Sequence, residues 1–278
     1  MLEALTALLK AALYAGLLSS SGAVFAQVTL RALPDELEYL TKPGQFGSVL
    51  VLVTGPLLAL VLILRLGGEF DAATLSAVFL SNSGAALCLQ MTGSALLLFT
   101  SSSDEDGSFV RLSYALLPMF AFAFSGHAAA VGPVDGLVAV THVTMAAWWV
   151  GSLYFLRRAC MQSQVDRVVA IVARFSSMAF ILTGVLVIAG LALVIILIDF
   201  GKDPWLSPYG WMLTAKLCVV ALLLAVAGHN RRRLTPRLTA RDSTAITTLR
   251  LTIGIELALI AAILTITAIL TTYFSPPE

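Results

Sequence analysis

Long apolar stretches alternate with short polar or glycine- and proline-containing segments along the whole chain. Eight such stretches are present, at residues 4–26, 46–65, 74–100, 110–125, 134–157, 174–199, 210–229 and 250–273. A helix needs about 20 residues to cross the hydrocarbon core of a bilayer. Because a chain in lipid must satisfy its backbone hydrogen bonds internally, the pattern predicts an all-α bundle of eight transmembrane helices.

The composition is that of an integral membrane protein. Of the 278 residues, 59% are hydrophobic and 12% are charged, whereas a soluble domain carries about 25% charged residues. The formal net charge is +1, which is too small to attract nucleic acid. We therefore predict one polytopic membrane domain over residues 1–278, surrounded by lipid, with no nucleic-acid partner. We also expect that the protein is not an enzyme.

The basic residues fall mainly on one side of the predicted bundle. Thirteen of the 17 lie in the first, third, fifth and seventh loops or at the adjoining helix ends, and the other side holds only Lys10, Arg65, Lys202 and Lys216. The basic side of a membrane protein is normally cytoplasmic. This rule places both termini on the outer side, which is the periplasm for a bacterial inner membrane.

Two histidines lie near the outer surface of the predicted bundle. His127 follows the fourth span, and His142 lies inside the fifth span, roughly 12 Å below the same surface. Since consecutive helices are antiparallel, the two imidazoles can approach each other. Met145 shares a helix face with His142, and imidazole with thioether suits Cu(I). The alternative is that His142 is a hydrogen-bonded packing residue and Met145 fills a gap.

Other polar or soft side chains within the spans are candidates for a pathway, because such groups are costly in lipid. Glu256 interrupts the last span as a candidate proton relay, cation site, partner of a basic side chain or structural hydrogen-bonding group. Cys88 and Met91 share a helix face and form a second candidate soft-metal station, or they pack in the core. Lys216 and Asp199 are predicted to pair, unless Lys216 extends to the surface.

Three segments carry a resemblance to a known family. They are GHAAAVGPVDGLVAVTHVTMAAWWVGSLYFL at 126–156, RFSSMAFILTGVLVIAGL at 174–191 and SPYGWMLTAKLCVVALLLAVAGHNRRRLTPRL at 207–238. These segments resemble the CopD (PcoD) copper resistance proteins of bacterial inner membranes. The resemblance is strongest over residues 120–277, and the N-terminal third carries no matching motif.

The resemblance implies a multi-pass protein of the bacterial inner membrane that moves copper, with import as the inferred direction. It implies copper ion as the bound species, a periplasmic carrier of the CopC type as the partner, and an outer-facing copper site built from His127 and His142. Met145 is added to this site by its spacing alone. No Walker motif is present, so we expect facilitated or proton-coupled transport rather than transport driven by ATP.

Two other functions remain open at the level of the sequence. His127 and His142 could ligate a haem in an electron-transfer protein. The chain could also be a membrane scaffold that binds copper and holds the periplasmic carrier without letting the ion cross. Homo-oligomerisation is left open as well.

Overall fold

The computed structural model describes residues 1–68, 70–100, 107–125, 132–198, 207–240 and 242–274, and no β-strand occurs in these ranges. The α-helices are α1 (Leu2–Leu30), α2 (Glu38–Arg65), α3 (Ala72–Phe79), α4 (Asn82–Phe99), α5 (Gly107–Phe120), α6 (Pro133–Gln162), α7 (Val165–Leu197), α8 (Pro208–His229), α9 (Thr235–Thr239) and α10 (Ser243–Tyr273). Short 3-10 helices lie at Pro34–Glu36 and Ala121–Ala123, and a π-helical segment lies at Asn230–Leu234.

Six helices of the described chain are long and apolar enough to cross a membrane, namely α1, α2, α6, α7, α8 and α10. The α3–α4 pair adds a seventh span if its two helices, bent by 72° at their junction, are counted together. The apolar helix at Phe109–Ala123 is shorter. The predicted all-helical membrane architecture is confirmed. The prediction of eight separate spans is not confirmed, because the third predicted span is broken and the fourth is short.

The break in the third predicted span has a local cause. Ser81 lies just after the end of α3 and caps α4, since its hydroxyl oxygen accepts a hydrogen bond from the Gly84 amide at 3.1 Å. Serine favours this capping position over the helix interior. The sharp bend also brings Gly84 close to the preceding turn, where a Cβ atom would lie 2.0 Å from the carbonyl oxygen of Val78. The bend therefore depends on the small residue as well as on the cap.

The fourth predicted span ends early. Pro118 lies inside α5, where it removes one backbone hydrogen bond of the helix. The chain tightens into the 3-10 helix Ala121–Ala123 three residues later. Pro118 also packs against Gly93 of α4, because a Cβ atom on Gly93 would lie 2.4 Å from the proline Cδ. This contact joins α5 to α4.

Helix α1 lies at the centre of the fold and packs against α2, α5, α6 and α10. Small residues allow its closest contacts. A Cβ atom on Gly16 would lie 2.8 Å from the Gly47 carbonyl oxygen of α2, and one on Gly151 of α6 would lie 1.9 Å from the Gly22 carbonyl oxygen. Close backbone approach of this kind is a main source of helix association in membranes, where apolar side chains gain little from leaving lipid.

The end of the bundle at the C-terminus of α1 collects arginines. Arg111, Arg167 and Arg174 donate hydrogen bonds to residues in the last turn of α1 or to the Arg31 carbonyl, at 2.8, 3.3 and 2.6 Å. We call this the arginine-rich end. It brings together basic residues that the sequence assigned to one side of the membrane.

The opposite end holds the start of α1 and the end of α10. The Lys10 ammonium donates to the Thr271 carbonyl oxygen at 2.8 Å, and Arg65 at the end of α2 donates to the Thr6 hydroxyl at 3.4 Å. The first and last described helices therefore begin and end on the same side. A periplasmic location for that side stays a prediction.

Candidate functional site

His142 lies on α6 and contacts α7. The half-buried imidazole is held by a 3.1 Å hydrogen bond between Nδ1 and the Leu186 carbonyl oxygen. A carbonyl oxygen can only accept, so Nδ1 carries the proton and the neutral ring keeps its lone pair on Nε2. Histidines that bind metals usually have this arrangement, in which the second ring nitrogen donates to a carbonyl or carboxylate group.

Gly190 makes this contact possible. It lies one turn after Leu186 on α7, and a Cβ atom there would stand 2.9 Å from Cε1 and 3.2 Å from Nδ1 of His142. The imidazole therefore packs directly onto the α7 backbone. A glycine inside an apolar helix is unfavourable by propensity, and here its lack of a side chain creates the space for the histidine.

Lys216 of α8 is a third element of the site. It is half-buried and close enough for its positive charge to act on the His142 ring. Its predicted partner, Asp199, lies outside the described residues, and no described carboxylate forms an ion pair with Lys216. A nearby ammonium group opposes the binding of a second cation.

Of the other two predicted copper ligands, only Met145 lies within the described residues. Met145 is half-buried on α6, one turn from His142 on the same face. His127 lies outside the described residues. Within the described part of the chain there is no cluster of three or more His, Cys, Asp or Glu side chains that could hold a metal ion. The described donor set at His142 is therefore one imidazole and one thioether at helical spacing, and it contains no carboxylate.

Glu256 of α10 lies deeper in the bundle and is 3% exposed. Its Oε1 accepts a hydrogen bond from Nδ2 of Asn230 at 2.6 Å, and its Oε2 accepts one from Nε1 of Trp149 at 3.4 Å. Both donors are neutral, and no basic side chain of the described residues forms an ion pair with Glu256. An ionised carboxylate here would lack a compensating charge, which is costly inside a membrane protein.

Asn230 reaches Glu256 through an irregular backbone. It begins the π-helical segment Asn230–Leu234 that follows α8, and π-helical turns occur frequently at functional sites. The Oδ1 atom of Asn230 is buried and has no hydrogen-bond partner in the part of the chain that the structure describes. A buried amide oxygen without a described partner therefore lies beside a carboxylate without a described counter-charge.

Cys88 and Met91 of α4 take different environments. Met91 packs over Gly55 of α2, because a Cβ atom on that glycine would lie 2.7 Å from the methionine sulfur. Cys88 is exposed on the surface of the protein. Their role as a second soft-metal station stays a prediction.

Sequence reasoning missed the partners of the site residues. Leu186 acts through its backbone, which no residue pattern reveals. Gly190 is one of several glycines in apolar runs, and the general signal that such a glycine marks a close approach does not say which side chain approaches it. Asn230 precedes three arginines, and only the folded chain places it against Glu256.

The long apolar helices and the few buried polar groups define a multi-pass helical membrane protein. Residues 169–270 match the family model described as CopD, copper resistance protein D. This match covers less than half of the chain and supports a relation of that part to the CopD copper resistance family. No match was found among curated proteins or among solved structures.

The matched region covers most of α7, all of α8 and α9 and most of α10. It includes Gly190, Lys216 and Glu256, and it begins after His142 and Met145. The family match and α6 therefore supply different parts of the candidate site. The match relates the C-terminal part of this membrane protein to copper resistance. The segment that carries His142 is linked to the family only by the resemblance at 126–156.

Proposed function

We propose that the protein transports copper across the inner membrane, with His142 as the ligand that draws the ion below the outer surface. The carrying observation is the hydrogen bond from His142 Nδ1 to the Leu186 carbonyl. It leaves Nε2 as a free electron-pair donor and fixes the ring against α7.

Met145 supplies the second donor of the proposed site. A thioether and an imidazole favour Cu(I) over magnesium or calcium, which prefer oxygen ligands. We propose His127 as the third ligand, since it precedes α6 and belongs to the outer side in the predicted topology. A periplasmic carrier of the CopC type is the proposed donor of copper, and import is the proposed direction.

A row of side chains on α6 supports an inward path. His142, Met145 and Trp149 follow at spacings of three and four residues, which places them on one helix face. Trp149 in turn contacts Glu256, about 10 Å further along α6 than His142. We propose that Glu256 and Asn230 bind a proton as copper passes, and that this step couples copper movement to protons.

Copper uptake into vesicles containing the reconstituted protein tests the proposal. His142→Ala is expected to lower uptake and the apparent copper affinity at least tenfold, roughly the scale on which metal sites respond to altered ligation. His229→Ala is the matched control, because it also removes an imidazole, here from the C-terminal end of α8. This variant should retain uptake. Glu256→Gln should retain copper binding while the dependence of uptake on an imposed pH gradient disappears.

The alternatives give different outcomes in the same preparation. Uptake by His142→Ala equal to that of the unmodified protein would reject the proposed site. Copper binding without uptake, in a protein that is correctly inserted, would identify a scaffold instead of a transporter. A Soret absorption band in the purified protein would identify a haem protein.

A further inference from the structure

A cavity of about 250 Å³ opens at the arginine-rich end, away from His142. It lies between the C-terminal part of α1, the start of α2, the end of α4 and the start of α5. Pockets for drug-sized ligands occupy about 300–1,000 Å³, so this cavity suits a smaller group. The copper proposal uses none of its residues.

The walls of the cavity are unusually polar for a site between membrane helices. The polar side chains on its lining include Ser20, Gln27, Gln45, Ser48, Thr100 and Arg111. None of the lining residues that the structure describes is acidic. These described walls therefore carry one positive charge and several neutral hydrogen-bonding groups.

Arg111 is incompletely paired within the described structure. One guanidinium nitrogen, Nη1, donates to the side-chain oxygen of Gln27 at 2.8 Å. The Nε atom is buried and has no hydrogen-bond partner among the described residues. A buried donor without an acceptor costs free energy, and the cost is greater for a charged group. An anion in the cavity would supply both the missing acceptor and the missing negative charge.

We propose that this cavity binds a phosphate group, either from a lipid headgroup or from a free phosphate compound. A guanidinium group presents its N–H donors as a planar fork that matches the oxygens of a phosphate, often through two parallel hydrogen bonds. Hydroxyl and amide groups on the other walls can donate to the remaining oxygens. The size of the cavity admits the headgroup of a lipid and leaves its acyl chains in the bilayer.

Binding of two probes to the purified, delipidated protein in a sugar-based detergent tests the proposal. Isothermal titration with inorganic phosphate measures the free ion, and titration with a short-chain phosphatidylglycerol measures the headgroup. Saturable binding of either probe is expected, and Arg111→Gln should weaken it about tenfold or more, the scale of a charge-assisted hydrogen bond. The affinity of Arg111→Lys should lie between those of the unmodified protein and Arg111→Gln, because lysine keeps the positive charge but lacks the planar fork of donors.

Arg157→Gln is the matched control. Arg157 is exposed on α6, and its substitution removes the same unit of charge. It should leave binding unchanged. A preference for phosphatidylglycerol over phosphate would identify the source as lipid, and the reverse preference would identify a soluble phosphate compound. Absence of saturable binding of both probes to the unmodified protein, or equal loss in Arg111→Gln and Arg157→Gln, would overturn the proposal.

The acidic run Asp104, Glu105 and Asp106 precedes α5 in the sequence and lies outside the described residues. A triple variant with Asn, Gln and Asn at these positions provides a further arm. If the unmodified protein binds neither probe and the triple variant binds phosphate, the counter-charge of Arg111 comes from the chain itself and the proposal fails. Equal binding by the two proteins supports an external ligand. Neither result depends on copper transport.

Discussion

Two groups of helices in this protein are built differently. In α1, α2 and α6, 44, 50 and 56% of the most apolar stretch is buried inside the protein, whereas in α7, α8 and α10 the values are 6, 17 and 22%. The first group packs through small residues that bring backbones together. The second group directs most of its apolar side chains outwards, where lipid is their natural surrounding.

The family match falls on the second group, and the deepest packing falls in the first. The CopD match at residues 169–270 covers the exposed helices, and α1 and α2 lie outside it. His142 belongs to the buried group, while its hydrogen-bond acceptor and the glycine beneath it belong to the exposed group. The candidate copper site is therefore a junction, and substitutions on its two sides should affect stability and copper binding to different degrees.

The largest effect is expected where the buried helices touch. Gly151→Ala places a methyl group 1.9 Å from the Gly22 carbonyl oxygen, so the α1 and α6 backbones must separate. We expect a loss of at least about 3 kcal/mol in the free energy of unfolding. Thermal unfolding in detergent, followed by circular dichroism, measures it.

Gly184→Ala on α7 is the matched substitution in the exposed group. No atom of the described residues lies within 4 Å of the added methyl group. Alanine is favoured over glycine in a helix by about 0.8–1 kcal/mol, so this variant should be as stable as the unmodified protein or slightly more stable. Equal destabilisation by Gly151→Ala and Gly184→Ala would refute the distinction between the two groups.

The apolar pattern predicts the helices better than it predicts the spans. It identifies α1, α2, α6, α7, α8 and α10 because long apolar runs in lipid have few alternatives to a helix. It does not distinguish a continuous span from the bent pair α3–α4, since the bend depends on a cap and on the contact of one glycine with the preceding turn. Such contacts are tertiary and leave no periodic signal.

The second-largest effect is expected at the contact between His142 of α6 and the backbone of α7. Gly190→Ala places a methyl group 2.9 Å from Cε1 of His142, which forces the ring away and breaks its bond to the Leu186 carbonyl. We expect copper affinity to fall about 10- to 100-fold, the usual cost of losing a group that orients a metal ligand. The free energy of unfolding should change less than in Gly151→Ala. The His142 side chain can move away from the added methyl group, whereas the α1 and α6 backbones at Gly151 cannot.

Copper titration of the purified protein measures this effect, and Gly184→Ala on the same helix is again the control. Unchanged copper affinity in Gly190→Ala, with the protein folded, would show that the orientation of His142 does not matter for binding. Copper binding would then have to be sought away from the junction.

The candidate site was predictable only in part. His142, Met145 and Glu256 are visible in the sequence because polar or soft side chains in apolar runs are few. Their partners are not visible, because one is a backbone carbonyl, one is a glycine and one is an asparagine in a π-helical turn. The pairing of Lys216 with Asp199 and the place of His127 stay predictions.

A smaller effect is expected at Lys216. Its ammonium group lies near the His142 ring, so its positive charge would oppose a metal cation bound there. Lys216→Met removes the charge and keeps a long side chain, so copper should bind a few-fold more tightly, in keeping with a single interaction between charges at partial exposure. Weaker binding in this variant would show that Lys216 orders the site, most simply by pairing with a carboxylate near the outer surface.

The smallest effect is expected in the connection between α9 and α10, within the exposed group. Asp242 caps α10 and pairs with Arg237 at 2.7 Å. Hydrogen bonds from the Thr244 hydroxyl, the Arg237 guanidinium and the Thr244 amide lower the pKa of Asp242 from 3.8 to about 2. Because the folded pKa is the lower one, the ionised carboxylate stabilises the fold above pH 3.8 and loses this contribution as the pH falls towards 2.

Asp242→Asn keeps a good capping residue and removes the charge, so it should lower the unfolding temperature slightly at pH 7 and hardly at all near pH 2. Glu36→Gln is the informative comparison. Glu36 is 2% exposed and joins the segment before α2 to Arg167 of α7 at 2.5 Å, so this ion pair links the two groups of helices. Glu36→Gln should therefore lower the free energy of unfolding at pH 7 clearly more than Asp242→Asn does. A larger loss in Asp242→Asn would mean that local contacts within the exposed group contribute more to the fold than the contact that joins the two groups.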